Sequence, residues 1–174
     1  TLSPLLRCLA VLTLGAFVVM VLDITSKGKF NAGWLSAFFI LLAGGVVASQ
    51  FDQIEAGFSG MVLADRFAHM FRLVIYVGAI LASLTAAGSW EGRGAVEIFG
   101  VDYFALLLLA VVGIDLLVIG SHLAVLFLGL EILSLPLYAM AIGPAHSDES
   151  VEAGAKYFMN GAFASGILLF GIAL

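Results

Sequence analysis

Two charged residues lie inside apolar stretches of the sequence, where their side chains could carry protons. Glu131 is surrounded by leucine, isoleucine and phenylalanine, and only Ser134 is polar nearby. Lys156 lies near the start of the last apolar stretch. Burial of a carboxyl group favours its protonated form, and a group that gains and loses a proton inside a membrane suits a proton carrier. Proton transfer is therefore one function that these two residues could serve.

Glu131 is the stronger of the two candidates because of its depth. It lies about ten residues beyond the Gly120 turn, roughly 15 Å along a helix, which is near the middle of a bilayer. Pro136 follows five residues later, and its ring should leave the Ile132 carbonyl without its helical donor. Intramembrane ionisable residues are functional by default. We interpret Glu131 as a proton-handling residue, and a structural ion pair is the alternative.

Lys156 has two interpretations. A lysine near a helix end extends its amine to the lipid headgroups, which is a purely structural role. Alternatively, Lys156 and Glu131 lie on adjacent antiparallel helices, so a base and an acid could share one polar channel. The sequence leaves this choice open.

Several other polar residues lie close to the ends of apolar stretches. Asp115 lies about five residues before the Gly120 turn, so we expect a shallow position from which it reaches the aqueous interface, in either a structural or a functional role. His122 is expected to cap a turn rather than to relay protons. The entry of the third stretch carries a polar group that we expect to be structural, with Asp65 as an N-cap and Arg72 extended to the headgroups or paired: Asp65, Arg66, His69 and Arg72.

The composition places these residues in a membrane protein. Of the 174 residues, 63% are hydrophobic and only 11% are charged, whereas soluble domains carry about 25% charged residues. The net charge is −5 and basic residues do not cluster, which argues against nucleic-acid binding. The single cysteine, Cys8, excludes an internal disulfide and a paired-cysteine metal or iron–sulfur site, so we expect it to be a packing residue.

Six apolar runs are long enough to cross a bilayer, which needs roughly 20 helical residues. They predict an all-α, polytopic transmembrane helix bundle. The short Gly120-Ser121 connection requires the fourth and fifth helices to be antiparallel neighbours. The six predicted spans are approximately 4–23, 33–50, 66–87, 102–120, 122–142 and 153–174.

The positive charges of the loops predict an orientation. Lys27 and Lys29 lie between the first two runs, and Arg93 lies between the third and fourth. Because cytoplasmic loops are enriched in lysine and arginine, both loops are predicted to be cytoplasmic. The N-terminus then lies on the opposite side.

Two sequence blocks resemble a known family. The first is Leu-Phe-Leu-Gly-Leu-Glu-Ile-Leu-Ser-Leu-Pro-Leu-Tyr at 126–138, and the second begins with Glu-Ala-Gly-Ala-Lys-Tyr-Phe at 152–158 and runs to Phe-Gly-Ile-Ala-Leu at 170–174. In order and relative spacing they resemble the antiporter-like membrane subunits of respiratory complex I, and most closely the subunit N family. The match is specific over 122–174 and looser over 1–121.

The resemblance implies a larger fold and a role for each candidate residue. The family's fold contains two inverted helical repeats, each with a discontinuous helix. Residues 1–121 would form the first four transmembrane helices, and 122–174 would form helices five and six of a chain that continues. Glu131 matches the family's glutamate that tunes a lysine on the seventh helix, which would lie beyond Leu174. Lys156 matches the lysine of the family's Lys-Tyr-Phe block.

The resemblance also implies partners and cofactors. It indicates proton translocation coupled to quinone reduction elsewhere in NADH:quinone oxidoreductase, within a hetero-oligomer of membrane-arm subunits in lipid. The complex would use NADH, FMN, iron–sulfur clusters and quinone, and none is expected in this chain, which lacks a flavin fingerprint and cluster ligands. The expected location is the bacterial inner membrane, with an organelle membrane as the alternative. A multi-subunit cation/proton antiporter and a non-transporting membrane scaffold are the competing functions.

Overall fold

Six helices make up most of the computed structural model, which describes residues 4–26, 31–92, 101–142 and 148–174. Each predicted apolar run coincides with one helix, so the predicted all-α bundle is confirmed. The helices are α1 Pro4–Ser26, α2 Ala32–Ser49, α3 Arg66–Gly92, α4 Val101–Ile119, α5 Leu123–Ile142 and α6 Asp148–Ala173.

Five of the helices are long and apolar enough to cross a membrane: α2 to α6. The apolar part of α1 is shorter, at Leu6–Leu22. That stretch is about 25 Å long at about 1.5 Å per residue, which is the lower limit for crossing a bilayer core of about 30 Å. Helices suit this environment because they satisfy their own backbone hydrogen bonds where no water is present.

Local sequence signals explain where several helices begin. The Asp65 Oδ1 atom accepts a 2.7 Å hydrogen bond from the Ala68 N–H, so the predicted N-cap of α3 is confirmed. Asn31 caps α2 in the same way through the Gly33 N–H. α6 begins five residues before its predicted start, because two acidic residues at 148–149 occupy its first turn and stabilise the positive end of the helix dipole.

The hydrophobic core lies among α1 to α4. α2 packs against α1 and α3, and α4 packs against α1, α3 and α5, whereas α6 packs mainly against α5. The largest buried apolar side chains come from all four helices: Leu12, Ile40, Tyr76, Phe104 and Leu108. The core therefore stops at α5, and most of α6 is exposed in this structure.

α4 and α5 are antiparallel neighbours in close contact, as the short turn between them predicts. A Cβ atom added to Gly113 would lie 2.4 Å from the Leu133 backbone nitrogen, and one added to Gly129 would lie 2.9 Å from the Leu117 nitrogen. Because glycine has no side chain, the backbones of α4 and α5 can lie closer together here than they could with any other residue at these two positions.

A small β-hairpin precedes α3, and the sequence did not predict it. Strand β1, Glu55–Gly57, pairs antiparallel with β2, Val62–Ala64. The turn between them, residues 58–60, has positive φ angles. The hairpin contacts the α4–α5 turn, because the Ser121 N–H donates a 2.9 Å hydrogen bond to the Met61 carbonyl. Strands of three residues are too short to show an alternating pattern.

Two sequence predictions concern residues outside the described part of the chain. The orientation depends on Lys27, Lys29 and Arg93, and none of them belongs to the described ranges. The helix stop predicted at Gly143-Pro144 also lies outside them, although α5 does end at Ile142.

Candidate functional site

Glu131 lies in the middle of α5 with a buried carboxylate oxygen. Within the described residues, its Oε1 atom has no hydrogen-bond partner. The nearest polar side chain of the helix, Ser134, donates its hydroxyl to the Leu130 carbonyl at 2.7 Å and so is not directed at the carboxylate. A buried polar atom normally has a partner, so this oxygen is free to bind an incoming donor or a proton.

The backbone next to Glu131 lacks one helical hydrogen bond. Pro136 is buried inside α5, and the helix continues through it to Ile142. Because proline has no N–H, the Ile132 carbonyl cannot receive its usual helical donor. This was the sequence prediction, and the structure shows that the loss does not break the helix.

Glu131 faces away from α4. Gly129 and Leu133, two positions on either side of it, are the α5 residues in close contact with α4. At about 100° per residue, a side chain two positions away points to the opposite side of the helix. Glu131 therefore shares the face of α5 that carries Tyr138 and Ile142, seven and eleven residues further along, and these contact α6.

Lys156 is distant from Glu131 and already paired. Its amine forms an ion pair with Glu152, one turn earlier on α6, and the two side chains are 69% and 64% exposed. The ring of the next residue, Tyr157, packs edge-on against Tyr138 at 4.8 Å. Lys156 thus lies beyond the level of Tyr138, more than about 10 Å along α5 from Glu131. The structure does not bring the two predicted residues together.

A second buried polar cluster joins α3 to α4. The Arg72 guanidinium donates from Nε to Asp115 Oδ1 at 3.1 Å and from Nη2 to Asp115 Oδ2 at 2.7 Å. The Tyr76 hydroxyl donates to the same Oδ2 at 2.7 Å. Arg72 and Asp115 are fully buried, and Tyr76 is 1% exposed. Two parallel hydrogen bonds from guanidinium to carboxylate form the strongest geometry for such a pair.

This cluster corrects the expectation that Asp115 reaches the aqueous interface. Asp115 is shallow along α4, but it points into the bundle, where Arg72 and Tyr76 of α3 cover it. The number of residues between Asp115 and the Gly120 turn predicts how deep Asp115 lies in the membrane. The direction of its side chain depends instead on which helices pack around α4. Of the two roles expected for Arg72, the structure shows pairing.

His69 lies one turn before Arg72 on the same face of α3. It is 2% exposed, and its Nε2 atom lies 3.3 Å from the Gln53 carbonyl oxygen. Two further buried atoms have no partner among the described residues: His69 Nδ1 and Arg72 Nη1. Sequence reasoning placed His69 and Arg72 in a structural polar group but missed Tyr76, although the spacing of the three residues at i, i+3 and i+7 is a recognisable helical face.

The remaining polar residues at this end have structural roles. The Nδ1 atom of His122 accepts a 3.2 Å hydrogen bond from the Ala124 N–H, so the predicted cap is confirmed. Arg66 pairs with Asp52 at 3.0 Å in a highly exposed bridge. Cys8 is buried in the core, as expected of a packing residue. No group of three metal-ligating side chains occurs among the described residues.

Sequence comparison relates the chain to membrane subunits of respiratory enzymes. Residues 120–174 match the family of transmembrane subunits of NADH:quinone oxidoreductase and Mrp antiporters. NADH-quinone oxidoreductase subunit N of Rhizorhabdus wittichii is 34% identical over 166 residues, which are 94% of this chain and 34% of that protein. Subunit N of Azorhizobium caulinodans is 38% identical over 160 residues, 90% of this chain and 33% of that protein. The chain thus spans about a third of these relatives.

Solved structures show the same relationship. A chain of respiratory complex I from Thermus thermophilus, solved with bound aureothin, superposes with a TM-score of 0.71 at 27% identity, over 95% of this chain and 35% of that one. A chain of an archaeal membrane-bound sulfane sulfur reductase superposes with a TM-score of 0.78 over 98% of this chain and 37% of that one, at 24% identity. The second likeness concerns the fold alone.

Proposed function

Because the chain belongs with the antiporter-like membrane subunits of respiratory complex I, we propose that it translocates protons as part of NADH:quinone oxidoreductase, with Glu131 as the central proton-carrying residue. The observation that supports this proposal best is the Oε1 atom of Glu131, which is buried and lacks a hydrogen-bond partner within the described residues. A carboxylate in that state requires either a proton or an incoming donor.

The surroundings of Glu131 favour an exchange between two states. When a cationic donor approaches the face of α5 that carries Glu131, the ionised carboxylate gains a partner and its proton is released. When the donor withdraws, a lone buried charge is costly, so the carboxyl group takes up a proton again. The missing hydrogen bond at Ile132 makes the backbone next to Glu131 easier to adjust as the partner moves.

Lys156 is proposed as a second proton-handling residue at the edge of the membrane. Its exposed ion pair with Glu152 would exchange protons with water. Glu131 and Lys156 lie more than about 10 Å apart along the direction of α5, so the proposal requires further groups or ordered water between them. The lysine that the family places on its seventh helix is the proposed cationic partner of Glu131.

The redox chemistry belongs, in this proposal, to other subunits, which would hold the flavin and iron–sulfur clusters and react with NADH and quinone.

The other membrane-arm subunits and lipid would cover the exposed face of α6, which is almost entirely apolar from residue 157 onward. The bacterial inner membrane is the proposed location.

The test is proton pumping by the Glu131→Gln variant in closed vesicles, normalised to the amount of assembled complex. Glutamine keeps the size of the side chain and cannot release a proton, so assembly should be normal while pumping falls roughly tenfold or more. Glu149→Gln is the matched control, because Glu149 is an exposed glutamate in the first turn of α6. Normal pumping by Glu131→Gln would refute the assignment.

Two alternatives predict different results. The family match covers Mrp antiporters as well as complex I, so an antiporter subunit is the second candidate. Co-purification of the full-length protein with an NADH-oxidising peripheral arm supports complex I, and its absence supports the antiporter. In a scaffold without transport, Glu131→Gln would reduce assembly and leave pumping by each assembled complex unchanged.

A further inference from the structure

The contacts between α5 and α6 fix which α6 residue lies opposite Glu131. At one end of the interface, the Ile142 Cα atom lies 3.1 Å from the position of a Cβ atom added to Gly154. Further along, a Cβ atom added to Gly161 would overlap the Tyr138 hydroxyl. The contacts follow each other in opposite directions along the two helices, which are therefore antiparallel. Ile142 and Gly154 mark one common level of this pairing.

Glu131 and Ser165 lie at the same level in this register. Glu131 precedes Ile142 by eleven residues, and Ser165 follows Gly154 by eleven. Eleven residues are about 16 Å and about three full turns of an α-helix. Glu131 therefore points in the same direction as Ile142, and Ser165 points in the same direction as Gly154. Because the helices are antiparallel, the two residues face each other across the α5–α6 interface.

The burial of α6 agrees with this assignment. Residues 162–164 and 166–171 are exposed, whereas Ser165 between them is half-buried. Because α6 packs mainly against α5, a half-buried residue within this exposed stretch is one that faces α5. The Ser165 side chain is thus directed toward the face of α5 that carries Glu131.

Close packing by itself explains why a small residue lies at position 165. Gly154 and Gly161 allow α5 to approach α6, and small residues are common where transmembrane helices touch. Alanine would serve that purpose equally well. Serine adds a hydroxyl group opposite a carboxylate whose buried Oε1 atom has no partner within the described residues. Since a buried polar atom without a partner is costly, the hydroxyl group offers what packing does not require.

We propose that Ser165 is a positioning residue for Glu131: its hydroxyl group hydrogen-bonds the Glu131 carboxyl group across the α5–α6 interface and orients it for proton exchange. Rotation about χ1 turns a serine hydroxyl without moving the backbone. That rotation leads from the unbonded arrangement of this structure to the bonded one. The role of Ser165 rests on the proposed function, because Ser165 acts only through Glu131.

A hydroxyl group suits a carboxyl group that gains and loses a proton. It donates a hydrogen bond to the ionised carboxylate and accepts one from the protonated acid, so one contact serves both states. A lysine amine carries donors only and would bind the ionised state alone. Ser165 therefore holds the orientation of Glu131 while the cationic partner approaches and withdraws.

The first test is proton pumping by Ser165→Ala in closed vesicles, normalised to the amount of assembled complex. Alanine keeps the small size that packing requires and removes only the hydroxyl group, so assembly should be normal while pumping falls roughly threefold to tenfold. Ser165→Thr retains a hydroxyl group and should pump better than Ser165→Ala. Ser134→Ala is the matched control, because the Ser134 hydroxyl already donates to the Leu130 carbonyl. Full pumping by Ser165→Ala, or an equal loss in Ser165→Thr, would overturn the proposal.

A combination with Glu131 variants shows whether Ser165 acts through Glu131. Glu131→Asp retracts the carboxyl group by one methylene, so adding Ser165→Ala to it should cause little further loss. A residue that acts independently of Glu131 would lower pumping by the same factor in both backgrounds. Loss of pumping in Glu131→Gln together with full pumping by Ser165→Ala overturns the role of Ser165 and leaves the proposed function intact. Full pumping by both overturns both.

Cross-linking tests the geometry separately from pumping. In the full-length protein, a short bifunctional thiol reagent should join the pair Glu131→Cys and Ser165→Cys, because the two positions face each other. The control pair is Glu131→Cys with Ala164→Cys, since residue 164 is exposed and lies about 100° around the helix from residue 165. The native Cys8 is fully buried. If the first pair cross-links no better than the control pair, Ser165 does not face Glu131 and the proposal fails.

Discussion

The Arg72–Asp115 pair is the most strongly buried ionic contact of the described residues, and its energetics differ from those of an ordinary surface bridge. Both side chains are fully excluded from solvent, whereas those of Arg66 and Asp52 are 69% and 83% exposed. Exposed pairs contribute about 0–1 kcal/mol because water screens them. Breaking a buried pair costs about 3–5 kcal/mol, because the remaining charge has no partner.

We therefore expect Asp115→Asn to destabilise the protein by about 3–5 kcal/mol and Asp52→Asn by less than about 1 kcal/mol. The measurement is thermal denaturation of the purified protein in detergent. Replacing both members of the buried pair with apolar residues, Arg72→Met with Asp115→Leu, should recover much of the loss. Equal effects of the two single substitutions would contradict the burial of Asp115.

Among the elements, α4 and α5 are the helices whose contact depends most on single residues. Gly113 lies against the backbone of Leu133, and Gly129 lies against that of Leu117. Backbone atoms cannot move aside as the end of a long side chain can. This close contact sets the rotation of α5, and so directs Glu131 to the face that carries Tyr138 rather than toward α4.

Gly113→Ala should weaken the α4–α5 contact. The added methyl group would lie 2.4 Å from the Leu133 nitrogen, so the helices must separate, at a cost of about 1–3 kcal/mol. Gly78→Ala is the matched control, because a Cβ atom at Gly78 in the middle of α3 meets nothing within 4 Å. Thermal stability of both variants in detergent checks the prediction, and an equally stable Gly113→Ala variant would rule out the close approach.

At the scale of the whole molecule, the hairpin and the α4–α5 turn lie at the same end of the bundle. The hydrogen bond from the Ser121 N–H to the Met61 carbonyl joins them, and β2 also pairs with Gly120. One membrane face therefore carries residues 50–65 and 120–122.

Labelling of introduced cysteines with a membrane-impermeant thiol reagent tests this arrangement. Ile54→Cys, at a position 71% exposed, and Ser121→Cys should react from the same side of sealed vesicles. Asn31→Cys, which precedes α2, should react from the other side. The native Cys8 is fully buried and serves as an internal control. Reaction of the first two variants from opposite sides would be inconsistent with this fold.

The orientation predicted from Lys27, Lys29 and Arg93 also predicts from which side of the membrane each introduced cysteine should react. If those loops are cytoplasmic, Ile54→Cys and Ser121→Cys should react from the non-cytoplasmic side.

The sequence by itself determined the features that depend on nearby residues. The length and apolarity of the six runs predicted the helices, because a chain in lipid must satisfy its backbone hydrogen bonds within each segment. Asp65 and the Gly120-Ser121 turn act over a few residues, so their roles were also predictable. The blocks at 126–138 and 152–174 predicted the relationship to antiporter-like complex I subunits, which comparison with subunit N proteins supports.

Only the tertiary structure decided which polar residues meet. Arg72 and Asp115 are 43 residues apart in sequence, and nothing local indicates that their side chains point toward each other. Glu131 and Lys156 lie on adjacent helices, but the register of α5 against α6 separates them by more than about 10 Å along the axis. Helix rotation and register are set by packing between distant segments, such as Gly113 against Leu133, and that information is not contained in any single stretch of the chain.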